Sequence, residues 1–263
     1  MRPKLYFRLI TALFFIFPIV LLLLQSITTP WRTREGINIQ LESFTVLWSD
    51  PNLWTATVWS IIIGAVVLLF NLFIGLTAGK ALAFYSFKGR SLIEALLLSP
   101  LLIPLLAVAI GLHLFMIRLD LADTWLGVAL VHLVPTVPYT IKIFHHAYSQ
   151  IGRPLLEQAE NLGASVSHQF FTVELPLLKN AIRSVTFLTI VISLSQYAIT
   201  AIIGGGSVIT MPMIFFPFLN SANPPLMAAL SIWFAVPPLV MYIAVEALLS
   251  LAPYSPTFWR NRT

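Results

Sequence analysis

Six stretches of this chain are apolar enough, for long enough, to cross the hydrocarbon of a bilayer, and that leaves few folds open to it. They run over about 6–27, 53–79, 91–115, 124–144, 181–203 and 226–250, with strict apolarity holding best in the first, second and last. About 20 helical residues cross roughly 30 Å of hydrocarbon, and each stretch is of that order. Charged residues make up only 10% of the 263, where a soluble domain carries about a quarter. Runs such as Leu21-Leu22-Leu23-Leu24 and Ile61-Ile62-Ile63 do not alternate, as the strands of a membrane barrel of about ten residues each must. The chain is therefore expected to be an all-α polytopic membrane protein with about six transmembrane helices, forming a single transmembrane domain over 1–263.

The basic residues set its orientation, since Lys and Arg collect in cytoplasmic segments. With the N-terminus inside, the inner segments hold Arg2, Lys4, Arg8, Lys80, Lys88, Arg90, Lys142, Arg153, Lys179, Arg183, Arg260 and Arg262. The outer segments hold Arg32, Arg34 and Arg118, which completes the 15. Six spans also return the C-terminus to the cytoplasm. The net charge of +5 is thus explained by topology, and no basic soluble face remains for nucleic acid. The first span is expected to stay uncleaved: its apolar region is longer than a signal core, and Gln25-Ser26-Ile27-Thr28 is a poor cleavage site.

Residues 28–52 form the first outer segment, with Trp31, Trp48 and Trp54 at interfacial positions and a short interfacial helix around Phe44 to Leu47, ending near Asp50-Pro51. In the second span, Gly75 and Gly79 make a small-xxx-small pair that lets a neighbouring helix approach closely. The segment Gly75 to Ala81 lacks the glycine spacing and the Ser or Thr after Lys of a phosphate-binding loop, so Lys80 is expected to reach to the inner interface. Prolines fall at Pro100 and Pro104, Pro135 and Pro138, and Pro237 and Pro238. Neighbouring helices re-satisfy the carbonyls that such prolines free. Kinks of this kind suit a bundle bending round a pathway and equally serve plain packing.

Residues 145–180 are the longest inner segment. Pro154 fits the first turn of a helix, Leu155 to Leu162 make two turns, and Gly163 supplies a left-handed stop. A second short helix is expected from about Ser165 to Glu174, ended by Pro176, with Phe170, Phe171, Val173 and Leu175 on its apolar side. The product is a helix–Gly–helix elbow on the inner membrane face.

The residues of that elbow read Glu157-Gln158-Ala159-Glu160-Asn161-Leu162-Gly163, then nine residues, then Val173-Glu174-Leu175-Pro176. This resembles the EAA loop (EAA, three residues, Gly, nine residues, I-x-L-P) of permease subunits in binding-protein-dependent ABC importers. Gln158 stands for the second-position Ala and Val173 for Ile; the spacing is intact. Further on, Ser193-Leu194-Ser195-Gln196-Tyr197-Ala198-Ile199-Thr200, Ile203-Gly204-Gly205-Gly206, Thr210-Met211-Pro212 and Ala228-Ala229-Leu230-Ser231 are similar in order to permeases of polyamine, thiamine, ferric-iron and aminoethylphosphonate importers.

The resemblance implies a MetI-like ABC importer permease fold whose loop at about 150–178 is a cytoplasmic coupling helix. Glu157, Ala159, Gly163, Leu175 and Pro176 would form the coupling element, docking into a cleft of an ATPase subunit. It implies no cofactor in this chain, with ATP and Mg bound by two partner ATPases. A second permease subunit, identical or homologous, and an extracytoplasmic solute-binding protein complete the complex in a bacterial inner membrane. The cargo would be a polyamine, thiamine or a similar small polar solute.

Catalytic chemistry is not written in the chain. There is no cysteine, which removes disulfides, thiolate metal sites and cysteine nucleophiles. His145 and His146 are adjacent rather than four apart as a helical metal pair requires, and His113 and His132 are expected to hydrogen-bond to neighbours. No Gly-x-Ser-x-Gly elbow or paired carboxylates appear, as a membrane-embedded enzyme would need. No internal repeat suggests a secondary transporter. Polar groups at bilayer depth are functional candidates, because desolvation is expensive. Asn71, Ser193, Ser195, Gln196 and Tyr197 are the best such set: they either line a passage for a polar solute or join helices through hydrogen bonds worth about 0.6 kcal/mol each.

Overall fold

The computed structural model describes residues 2–31, 38–219 and 223–251. Arg32, Arg34, Arg260 and Arg262, used above for orientation, lie outside the described residues. Thirteen α-helices are described, and the chain divides into two compact units, Met1–Val58 with Ile209–Pro237, and Trp59–Val208 with Pro238–Thr263.

The first unit contains α1 (Arg2–Ser26), α2 (Glu42–Ser49) and the opening turns of α3 (Pro51–Phe84). It also holds α11 (Met211–Phe218) and α12 (Pro224–Phe234). α1 and α2 both pack against α12. The core joins Leu47, Leu53, Ala56, Met211, Ala229 and Leu230. Around it, Trp48, Trp54 and Trp233 meet edge to face with centroids 4.8–5.8 Å apart, the geometry aromatic quadrupoles favour. Two indole N–H groups have acceptors: Trp54 donates to the Trp48 carbonyl at 3.0 Å and Trp233 to the Thr57 hydroxyl at 3.0 Å. Of the three tryptophans expected at the interface, Trp48 and Trp54 thus belong to a packed cluster, while Trp31 donates to the Thr28 hydroxyl at 2.8 Å.

The second unit holds most of α3, then α4 (Arg90–Leu98), a 3₁₀ turn at Ser99–Leu101, α5 (Leu105–Arg118) and α6 (Trp125–Ile151). α7 (Arg153–Asn161), α8 (Val166–Gln169), a π-helical turn at Phe170–Glu174, α9 (Leu175–Leu194) and α10 (Tyr197–Ile203) follow, with the greater part of α13 (Val236–Leu251). α6 and α9 pack along each other. Phe144, Tyr148, Leu178, Val185 and Ile190 are almost fully buried between them. A second cluster, Val67, Val128, Val131, Ile199 and Ile203, closes the other end.

Among the described residues, four helical runs are long and apolar enough to cross a membrane: Pro51–Phe84, Trp125–Ile151, Val166–Leu194 and Pro224–Leu251. Thr11–Ser26 and Leu106–Arg118 are shorter apolar helices. Three of the expected stretches are not continuous helices. The 91–115 run breaks between α4 and α5, where Pro104 takes an extended ψ of 120°; proline lacks an N–H and its ring crowds the carbonyl four residues back. The 181–203 run breaks at Ser195-Gln196, and 226–250 is interrupted at Ala235. The proline pair in α6 does not break it: Pro135 and Pro138 sit inside 27 continuous residues.

The small residues of α3 do what their spacing requires. A Cβ on Gly75 would overlap Thr140 Cγ2, and one on Gly79 would lie 2.6 Å from Phe144 Cβ and 2.9 Å from the His145 backbone nitrogen. α3 and α6 therefore touch backbone to backbone. A second close approach holds the glycine turn after α10. Gly205 has φ +51° and faces Asp123, whose carboxylate occupies the space a Cβ would take. Gly205→Ala is expected to cost about 1–3 kcal/mol through overpacking, read as a lower melting temperature in detergent. Adding Asp123→Ala should relieve the clash but not the left-handed strain of about 1 kcal/mol. Equal melting of Gly205→Ala and the parent would refute this account.

Candidate functional site

The elbow begins where α6 ends. Gly152 turns the chain with φ +76° while its N–H still reaches the Tyr148 carbonyl at 3.0 Å. Pro154 then occupies the first turn of α7, where a missing N–H leaves nothing unsatisfied. Leu156 is the buried residue of this helix and Ala159 is half-buried, while the other side chains of α7 are exposed. Arg153 Nε donates to Glu157 Oε1 at 2.7 Å, with both side chains more than half exposed; a surface pair of that kind stabilises little. Glu157 remains available on the outer face.

α7 stops in a Schellman motif. The Ala164 N–H bonds to the Ala159 carbonyl at 3.1 Å, and the Gly163 N–H to that of Glu160 at 2.8 Å. This pair of bonds needs a left-handed residue, and Gly163 has φ +84° with open space around its missing Cβ. Ser165 then caps α8, its hydroxyl accepting from the His168 N–H. The turn leaves Leu162 88% and Val166 84% exposed, the two most exposed apolar tips of the elbow.

Beyond α8 the structure corrects the expected stop at Pro176. The helix does not end there: Pro176 is buried in the first turn of α9, directly after the π turn. In an α-helix its ring would crowd the Thr172 carbonyl. The wider turn, in which the Leu175 N–H reaches back five residues to the Phe170 carbonyl, relieves that conflict. The second arm of the elbow and α9 are consequently one unbroken helical run, Val166–Leu194. Of the five expected coupling residues, Glu157, Ala159 and Gly163 sit on the outer arm, whereas Leu175 and Pro176 sit at its root against the core. Phe171 is exposed at 55%, and it meets Phe170 edge to face.

Sequence reasoning missed Glu174. It is 2% exposed, and its carboxylate accepts from Lys80 Nζ at 2.6 Å, from the Tyr148 hydroxyl at 3.0 Å and, at the long limit of 3.5 Å, from Gln169 Nε2. Lys80, expected to snorkel alone, is held in this ion pair and lies 5.8 Å from the Tyr148 ring centroid. Removing Lys80 would leave the buried Glu174 charge uncompensated, which in a fully buried pair costs about 3–5 kcal/mol and less here, since the Lys80 side chain is 36% exposed. The signal was in the motif itself, in the acidic residue between Val173 and Leu175.

The expected pathway set divides in two. Asn71 is fully buried; its Nδ2 donates to Thr136 Oγ1 at 2.8 Å, and its Oδ1 accepts from Thr140 Oγ1 at 2.9 Å. Ser193 is also buried, its Oγ 2.9 Å from His132 Nδ1, while His132 Nε2 lies 3.0 Å from Thr200 Oγ1. These groups form a satisfied polar spine joining α3, α6, α9 and α10. His132, Thr136 and Thr140 recur every four residues, so a stripe on one face of α6 was visible in the sequence. Ser195, Gln196 and Tyr197 instead occupy the step between α9 and α10, where Ser195 is exposed and the other two half-buried. Beside α9, a groove of about 570 Å³ is lined by Phe187, Ile190, Val191, Pro238 and Tyr242. Arg183, also on its wall, donates from Nε to Glu246 Oε2 at 2.7 Å.

Comparison with known proteins places this geometry. The profile described as "Binding-protein-dependent transport system inner membrane component" matches residues 71–251. The arabinooligosaccharides transport system permease protein AraQ of Bacillus subtilis (strain 168) is 28% identical over 191 residues, 69% of this chain and 67% of that one. The spermidine/putrescine transport system permease protein PotC of Escherichia coli (strain K12) is 24% identical over 236 residues, 88% of each. The sulfate transport system permease protein CysT of the same organism is 25% identical over 210 residues, 74% of this chain and 76% of the relative. Among solved structures, a bacterial ABC transporter involved in the import of the acidic polysaccharide alginate superposes with a TM-score of 0.74. The match covers 94% of this chain and 98% of that one at 17% identity, so the likeness is one of fold.

Proposed function

We propose, from the premise that this chain belongs to the family of binding-protein-dependent transport system inner membrane components, a division of labour within one ABC importer. The chain is the importer's permease, a membrane transport component rather than an enzyme. It supplies half of a pathway for a small polar solute, and a second permease, identical or homologous, supplies the other half. A solute-binding protein delivers cargo from outside. Two ATPase subunits, which hold the ATP and Mg, dock on the elbows. The solute itself is left to the delivering protein: the relatives are named for an oligosaccharide, a polyamine and an inorganic anion, while the fold stays the same.

One observation carries this reading. An elbow with two exposed apolar tips, Leu162 and Val166, stands on the helical run that reaches the Ser195-Gln196 step. Non-helical backbone at membrane depth is tolerated where it is buried in protein or lines a cavity, and at this step Ser195 is exposed. Ser195, Gln196 and Tyr197, with the groove beside α9, are accordingly the pathway surface, while Asn71 and Ser193 hold the helices together. Closure of the ATPases on ATP would draw the elbows together and favour the outward-facing bundle, and hydrolysis would release it. The excess of basic residues on one side of the spans supports a cytoplasmic elbow and cytoplasmic termini.

The lack of native cysteine makes the test clean. Leu162→Cys, labelled in membranes with a maleimide carrying a benzophenone and then photolysed so that the ketone inserts into a neighbouring C–H bond, is expected to yield one adduct with an ATPase subunit. The same cysteine should resist an impermeant maleimide added to intact cells from outside. Labelling from outside, or no ATPase in any adduct, removes the coupling role of the elbow.

A further inference from the structure

We infer that Glu174 is a positioning residue for coupling: its buried carboxylate ties the arm leaving the elbow to α3 and α6, so that displacement of the elbow reaches α9 undiminished. This rests on the proposed docking of the elbow on an ATPase.

Three features converge on it. The π turn at Phe170–Glu174 is the widest turn in the run from α8 to α9, and such turns interrupt the regular ladder of a helix. A lever bends at its weakest turn, and the carboxylate is fixed at the end of that turn. Its partners are spread over three elements, Lys80 on α3, Tyr148 on α6 and Gln169 on α8, which fixes both the position and the rotation of the arm. An apolar side chain would fill the same space without desolvating a charge, and buried pairs are best attested as devices of register rather than of stability.

The test uses the chain in complex with its ATPase, with Val191→Cys on α9 as reporter. The rate at which an impermeant maleimide modifies that cysteine is measured with and without ATP and Mg. In the parent the nucleotide changes the rate. In Glu174→Gln that change is expected to fall about tenfold, within the range of coupling losses along such networks, while ATP hydrolysis stays within about twofold of the parent. Lys80→Gln should act in the same direction, and the double variant should be no worse than the more affected single one, as for residues acting as a unit. Tyr148→Phe removes one hydrogen bond and keeps the ring, and should lose about threefold; it serves if Glu174→Gln fails to fold. An undiminished nucleotide response, or a loss that merely follows reduced hydrolysis or reduced folded protein, overturns the inference. Failure of the Leu162 adduct to form would instead overturn the docking on which it rests.

Discussion

Gly79→Val is expected to leave almost no folded protein in the membrane. The valine Cβ would stand 2.6 Å from Phe144 Cβ and 2.9 Å from the His145 backbone nitrogen, and neither can swing aside as a side-chain tip could. Relief requires α3 and α6 to separate, which would strip Phe144, now fully buried, of its packing. Overpacking costs about 1–3 kcal/mol when a core can shift; here the obstacle is backbone, so the loss should lie at or above that range. Gly75→Val, whose obstacles are the side chains of Thr140 and Phe144, should be milder. Detergent melting and the yield of monodisperse protein measure both. A Gly79→Val protein that melts with the parent would show that the two helices are not in backbone contact.

Gly163→Val should do the opposite: preserve the fold and lose transport. Nothing lies within 4 Å of the position a Cβ would take, yet φ is +84°, a region that costs an ordinary residue about 1–2 kcal/mol and a β-branched one more. The local remedy is to abandon the left-handed turn, and with it the Ala164 and Gly163 hydrogen bonds that stop α7. Leu162 and Val166 would then no longer project together. Insertion and melting should stay close to the parent, while ATPase recovered with the chain falls at least about tenfold and solute uptake is lost. Asn tolerates the left-handed region, so Gly163→Asn should be nearly normal. Glu157→Lys removes only an exposed pair with Arg153, and should likewise spare stability and lose uptake. Normal uptake in Gly163→Val and Glu157→Lys together would end the assignment of the elbow to coupling.

What could be read in the sequence is what the bilayer enforces locally. Continuous apolar runs gave α3 and α6, the pair Gly75 and Gly79 gave their close approach, and Pro154 with Gly163 gave the bounds of α7, because each depends on residues near in the chain. The failures were non-local. Pro176 reads as a stop for the helix before it, because its ring crowds the carbonyl four residues back, and the helix passes it because the preceding turn widens. Glu174 reads as the polar last residue of a short surface helix; its burial depends on Lys80 and Tyr148, which lie on α3 and α6. Asn71 and Ser193 looked as available as Ser195 to a passing solute. Only the pairing of α3 with α6, and of α6 with α9, distinguishes hydrogen-bonded joints from an open step.

The widened turn before Pro176 has a consequence for how such a chain can change by insertion or deletion. A π turn holds one residue more than the turn it replaces, and each helical residue advances the chain by about 100°. Deleting a single residue from 170–174 would let that turn close into an ordinary α turn spanning nearly the same angle, so the exposed leucine and valine would keep their heading. The Pro176 ring would then meet the carbonyl four residues back, and the damage would fall at the root of the arm rather than at its tip.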